Sequence, residues 1–251
     1  MAKVIAPFKI VGTLDDLTFY LDQENNNLVK TKGKPGITSK QFHENPIFTK
    51  VKNHGKEFGR CSKKSQNFRA IALQFYNRAK DVSFAGRANK LMLEIMNEDT
   101  SNEQGDRTVE NGLKSEEAKT FFVGFEGNKT RTLPKVLKTK YQWQDELNQI
   151  TINKFNPKKH LLWPDTECDN VHFAVASANW NYEENKFTTE YSDEIIINKE
   201  DKPTDIVLKT KQPEGKELKL VFLFIGFSIQ ERKKVKELKR SNNTVSIIWS
   251  I

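Results

Sequence analysis

The chain is poor in the residues and runs that mark specialised protein classes. Cys61 and Cys168 are its only cysteines in 251 residues, they lie far apart, and neither belongs to a paired-Cys motif. That excludes a disulfide framework as the organising device. Long apolar runs are missing too. The longest, LVFLFIG at 220–226, is far short of the roughly 20 residues that a membrane-spanning helix needs. The opening MAKVIAPFKIVGTLDD is broken by Pro7 and Lys9 and lacks the apolar core of a secretory leader. A cytoplasmic protein with no membrane partner is therefore expected, and the sequons at Asn128 and Asn242 carry no meaning without export. Neither a Walker loop, a zinc-finger spacing, HExxH nor the signatures of an RNA-recognition motif occurs.

What is present is enough to fold. The apolar share is 36%, the aromatic share 10%, and 17 of the aromatics are Phe, a composition that a disordered chain lacks. The net charge of +8 is unevenly spread. Residues 30–90 hold fifteen Lys and Arg against Glu44, Glu57 and Asp81, so this quarter of the chain is strongly basic and the remainder mildly acidic. Such an imbalance points to a polyanion or an acidic protein face as partner.

Two periodicities divide the chain. The first 33 or so residues read as a small β meander of three strands, KVIAPFKIVG, LTFYLD and LVKTK, closed by Pro35 and Gly36. A short helical turn, ITSKQFHENP, follows. From Pro46 the spacing becomes helical. Phe48, Val51, Phe58, Cys61, Ser65, Phe68, Ala72 and Phe75 recur mostly three and four apart and predict the buried side of one long helix. Gly55 and Gly59 mark a possible break in it. A second helix is expected after Ser83, with Phe84, Ala88, Leu91, Met92 and Ile95 inward, then a polar loop at 97–106 and a third helix over LKSEEAKTFFVGF. Beyond residue 127 the period falls to two. About eight β-branched and aromatic segments, from VLKTKYQW to NTVSIIWSI, predict an antiparallel immunoglobulin-like sandwich with LVFLFIG as its buried central strand. The expected class is α+β, with a β meander plus basic helical module over 1–127 and the sandwich over 128–251.

The one chemical pattern with a continuous arrangement is a basic stripe. At 100° per residue Lys52, Lys56, Arg60, Lys63, Asn67, Gln74 and Arg78 share one sector of the long helix, away from its apolar line. Lys52, Lys56, Arg60, Lys63 and Arg78 are the candidate contacts, either to a protein partner or to phosphates. The densest metal-like run is HLLWPDTECDNVH, with His160, Asp165, Glu167, Cys168, Asp169 and His172. It has no metal-ligand spacing and reads as an acidic loop between strands, so no metal or other cofactor is expected. The adjacent acidic pairs Asp15-Asp16, Glu116-Glu117, Glu183-Glu184 and Asp193-Glu194 read as turn and surface residues, because neighbours on a strand face opposite ways. His43 and His54 have no nearby nucleophile motif.

The segments GTLDDLTFY, VKTKGK and NPIFTKVKNHGKEFGRCSK, with HFAVASANWNYEENKFTTEYSDE much later, resemble a group of two-module bacterial proteins of similar length from Bacteroidetes-type genomes. The resemblance implies a two-module layout and a bacterial origin. It carries over no catalytic or binding residue. The expected function is a non-enzymatic structural or protein-interaction role, by docking a partner or by self-assembly. Nucleic-acid binding through the basic helix is the alternative. No small-molecule substrate is indicated.

Overall fold

The fold was analysed in a computed structural model that describes residues 2–33, 36–232 and 234–251; Pro35, expected to close the N-terminal strands, lies outside them. The chain divides into two compact units, Met1–Lys50 and Val51–Ile251.

In the first unit, β1 (Ala2–Lys3), β2 (Gly12–Leu14), β3 (Leu17–Leu21) and β4 (Asn27–Thr31) form their own antiparallel sheet in the order β1-β4-β3-β2. Four strands stand where three are expected. KVIAPFKIVG is not one strand; residues 4–11 between β1 and β2 are irregular, and Pro7 within them has no N–H for a ladder. Asp15 and Asn25 take positive φ in the two hairpin turns, a conformation that short Asx side chains tolerate. The sheet is followed by α1 (Ser39–Glu44), whose N-terminus is closed by a capping box between Thr38 and Gln41. Phe42 of α1 packs against Phe48 at 5.2 Å between ring centroids.

The second unit is layered. Its helices are α2 (Thr49–Ile71), which enters from the end of the first unit, α3 (Leu73–Arg78), α4 (Phe84–Asn97), α5 (Val109–Gly112), α6 (Glu116–Thr120) and α7 (Leu133–Val136). Then come β5 (Gln142–Gln144), β6 (Gln149–Phe155), α8 (Pro157–His160), β7 (Asn170–Asn181), β8 (Lys186–Tyr191), β9 (Ile195–Asn198), β10 (Thr204–Lys209), β11 (Leu218–Glu231), β12 (Lys234–Glu237) and β13 (Thr244–Ser250). The long strands β7 and β11 pair antiparallel at the centre of a six-stranded sheet. β12 and β13 share the outer side of β11, while β8 and β9 share the outer side of β7. A three-stranded sheet, β10-β6-β5, is separate.

Side-chain alternation explains the layers. From β11, Leu220, Phe222 and Phe224 enter a core with Phe68, Phe75, Tyr76, Leu91 and Met92 of the helices. Val221, Leu223 and Ile225 enter a second core with Ile150, Ile152, Ile206 and Leu208 of the smaller sheet. A strand covered on both faces reads as a continuous apolar run, as LVFLFIG does, and it is central as its composition predicts. Antiparallel strands stand on the segments expected beyond residue 128, except that VLKTKYQW leaves the end of α7 as irregular chain and is strand only from Gln142; they form two sheets that share the second core. Helices cover the other face of the larger one, and the class is α+β. β12 goes unpredicted because KVKE is charged and fully exposed.

The long helix differs from expectation in three ways. It runs unbroken through Gly55 and Gly59, both of them exposed. It ends instead at Ala72, whose φ of −112° and ψ of 48° start α3 on a new axis. Its buried side is Glu57, Cys61, Lys64, Ser65, Phe68 and Ile71, so Val51 and Phe58 of the expected apolar line lie outside it, with Phe58 half exposed. Two charged residues take the inward positions because segment 105–110 supplies their partners. Glu57 accepts from Arg107 at 2.9 and 3.0 Å and from the Gly105 N–H at 2.7 Å. Lys64 donates to the Tyr182 carbonyl and to Asn185 Oδ1, both at 2.6 Å, and pairs with Glu110.

Candidate functional site

The N-terminal sheet has one apolar face, and the register shows how it is made. Along β3, Leu17, Phe19 and Leu21 alternate with Thr18 and Tyr20. Leu14 lies opposite Leu17, Val29 opposite Phe19, and Ala2 opposite Val29. These side chains share one face with Gly12, Asn27 and Thr31, a set without an ionisable group. The other face carries Lys3, Thr13, Thr18, Tyr20, Leu28 and Lys30 by the same pairing. Among the described residues, no apolar side chain before Cys61 is buried. Leu14 is 65%, Leu17 42% and Leu21 38% exposed, and a hollow of about 360 Å³ lies among Ala2, Leu17, Val29, Lys30 and Thr31. At the Leu21 end Asn27 ties down the irregular segment, accepting from the Ile10 N–H at 3.1 Å and donating to its carbonyl at 2.7 Å. Small sheets gain independent stability only when an apolar face is packed. This one is open.

The five cations of the predicted stripe do not form one surface. Lys52, Lys56, Arg60 and Lys63 follow one another along α2, whereas Arg78 lies beyond the break, in α3. Arg60 donates to the carbonyls of Gly105 and Arg107 at 2.9 and 3.0 Å and meets Asp106. Arg78 makes two bonds of 2.9 and 3.0 Å to Glu194, pairs with Glu237, and sits 4.3 Å over the ring of Phe224. Lys52 is half-buried, and Lys56 and Lys63 are exposed. Lys63 lines a groove of about 420 Å³ with Arg60, Lys64, Asn67, Glu110 and Asn185. Lys64 and Glu110 at its wall already neutralise each other.

The residues of HLLWPDTECDNVH diverge. The Nδ1 of His160 accepts from the Asn156 N–H at 3.1 Å, Asp169 accepts from the Gln230 N–H at 2.8 Å, and Cys168 is buried in the sheet-to-sheet core. Among the described residues no three His, Cys, Asp or Glu converge as a metal site.

His172 instead joins partners remote in sequence. Its Nδ1 contacts Glu194 and its Nε2 lies 2.6 Å from Ser228 Oγ. Nδ1 faces the carboxylate and donates to it, and Nε2 shares a hydrogen bond with the Ser228 hydroxyl. The hydrogen bond from His172, assisted by Arg78, holds the Glu194 carboxyl down at about 2. Connectivity is that of a Ser-His-acid triad, yet Ser228 has no exposed surface. A nucleophile must reach substrate; this serine reaches only His172. No spacing rule could have found the group, since its members are 22 and 56 residues apart.

Two carboxyls, Glu94 and Glu126, line an open pocket. Glu126 stands with Arg87, Lys90, Phe121, Phe125 and Lys129 around about 360 Å³. Burial raises its carboxyl to about 7 against the hydrogen bond it accepts from the Leu133 N–H at 3.0 Å. Arg87 is committed elsewhere, to Asp81 and to the carbonyls of Glu126 and Gly127.

No protein-family model, curated protein or solved structure matches the chain. The site has to be understood from its own chemistry.

Proposed function

We propose that this is a non-enzymatic protein-interaction protein whose docking surface is the apolar face of the N-terminal sheet. The observation that carries the proposal is the exposure of Leu14, Leu17 and Leu21 on a face whose register positions hold no ionisable residue, with Lys30 also lining its hollow. Exposed apolar surface of this kind marks interaction sites. The larger unit serves as the scaffold. Its immunoglobulin-like character rests on two facing antiparallel sheets and adds no reactive group, and the triad-like His172 group is sealed.

The test is a photo-cross-linking residue at position 17 or 19 of the full chain, with position 13 on the opposite face as control. Adducts confined to positions 17 and 19 are expected. They count only if the protein so identified, once purified, binds the wild-type chain and not Leu17→Lys. No adduct, or equal adducts from position 13, would sink the proposal.

The phosphate reading of the basic helix is weaker, because Arg60 and Arg78 already spend their charge inside the chain. It leaves Lys56 and Lys63 as the exposed contacts. Retarded migration of DNA or RNA at low salt, lost in Lys56→Glu with Lys63→Glu, would restore it.

A further inference from the structure

We infer that the hollow between the β7-β8 hairpin and the loop 210–217 is a site for a hard divalent cation, calcium before magnesium. Asn179, near the end of β7, is the starting point. It is only 5% exposed, yet its side-chain amide bonds to no other group among the described residues, and it lines a hollow of about 200 Å³ with Asn181, Thr188, Glu214, Gly215 and Glu217. A polar group so placed is costly unless something meets it.

The loop is shaped around the oxygen of that amide. Gly215 has a φ of 111°, and a Cβ on it would stand 2.4 Å from Asn179 Oδ1 and 2.7 Å from Glu217 Oε2. Two oxygens at those distances from one point are no more than about 5 Å apart, so one calcium ion, bonded at about 2.3–2.6 Å, can reach both. Glu214 brings a second carboxylate. Its carbonyl accepts from Thr188 Oγ1 at 2.7 Å, which holds the loop to the hairpin. Glu217 is aimed by Asn181 Nδ2 at 3.3 Å and by the Lys216 N–H at 3.0 Å.

Charge and donor type agree with a hard cation. Lys186, also at the hollow, is paired with Glu184 at 2.8 Å, and Lys219, opposite Asn179 in the ladder, with Asp145 at 2.6 Å. Lys216 is exposed and outside the lining. No sulfur or imidazole lines the hollow, so the donors are oxygens, the ligands of calcium and magnesium. Calcium accepts a mixed set of amide, carboxylate and water oxygens in irregular geometry, whereas magnesium demands a regular octahedron. Only two of the donors are acidic, which is why no triplet of His, Cys, Asp or Glu marks the place. Two carboxylates on an exposed loop put the dissociation constant at roughly 10⁻⁴–10⁻³ M.

The experiment uses the full chain, stripped of metal with EDTA and titrated with calcium chloride. Its melting temperature should rise at millimolar calcium and rise less with magnesium chloride. Terbium chloride should give luminescence excited through Trp180, which lies between Asn179 and Asn181, and calcium should displace it. Glu214→Gln with Glu217→Gln, both at exposed positions, should keep the circular dichroism spectrum and raise the calcium needed by at least about tenfold. Glu184→Gln, outside the donor set, should not. Asn179→Asp, which adds a charge at nearly constant shape, should lower the calcium needed. Absence of both the melting shift and the terbium signal overturns the site, as does calcium binding that is unchanged in the Glu214→Gln, Glu217→Gln pair or in Asn179→Asp.

Discussion

Burial pushes two carboxyl groups up, yet they end on opposite sides of the ordinary value, and the difference lies in what each is bonded to. Glu194 is held near 2 by His172 and Arg78, so its contribution to stability is complete above the ordinary carboxylate value of 4.5 and disappears as pH falls from there toward 2. Glu126 is raised to about 7 chiefly by burial. An acid raised on folding costs nothing while it is protonated in both states, below about 4.5. Stability then declines as pH climbs from 4.5 to 7. Thermal melts should show this directly. Glu126→Gln, which keeps an acceptor for the Leu133 N–H, should raise the melting temperature at pH 8 and leave it unchanged at pH 4. Glu194→Gln should lower it at pH 7 by the equivalent of about 2 kcal/mol and converge with wild type near pH 2. A melting temperature for Glu126→Gln that is lower at pH 8 than at pH 4, relative to wild type, would show that the ionised carboxylate is needed.

At the scale of elements, α2 carries a removable weakness. Gly55 and Gly59 occupy exposed helical positions, and a Cβ added at either meets nothing within 4 Å. Gly55→Ala and Gly59→Ala should therefore each stabilise the chain by up to about 1 kcal/mol, read as a rise in melting temperature of roughly 2–4 °C. Gly112 in α5 is the contrasting case. A Cβ there would stand 2.0 Å from the Ile95 carbonyl oxygen of α4, so this glycine serves close helix packing rather than chain freedom. Elements of strong periodicity were readable. Phe84, Ala88, Leu91, Met92 and Ile95 of α4 are all buried, and β6 to β11 fall on their alternating or continuous apolar runs. The reading faltered where polar residues entered the core. Spacing alone cannot show that Glu57 and Lys64 turn inward while Phe58 turns out, because their partners Arg107, Glu110 and Tyr182 are 46 to 118 residues away. The same distance hid the fate of Arg78, whose carboxylate partners lie 116 and 159 residues on. The open sheet face was half legible: LTFYL gives the alternation, but only the pairing with β2 and β4 brings the apolar positions together.

For the whole molecule, the first buried apolar residue among those described is Cys61, and both cores are built from it and the residues after it. Removing residues 1–45 should leave the larger unit folded, with a melting temperature within a few degrees of the full chain and the same near-ultraviolet circular dichroism. A collapse of that signal would mean that the N-terminal sheet supports the larger unit after all.

Burial of β7 and β11 on both faces removes a safeguard that half-buried strands enjoy. In such strands a slip of one residue throws apolar side chains into water and is rejected at once; in LVFLFIG a slipped ladder would still bury apolar residues on either side. Registration has to come from something that tolerates only one alignment. The bond of 2.6 Å between His172 and Ser228 supplies it, reinforced where Lys219 of β11 reaches Asp145 at 2.6 Å. Shifting either strand would strand a buried imidazole or ammonium without its partner, at a cost of several kcal/mol. The group that looks like a hydrolytic triad is thereby the pin that aligns the central ladder.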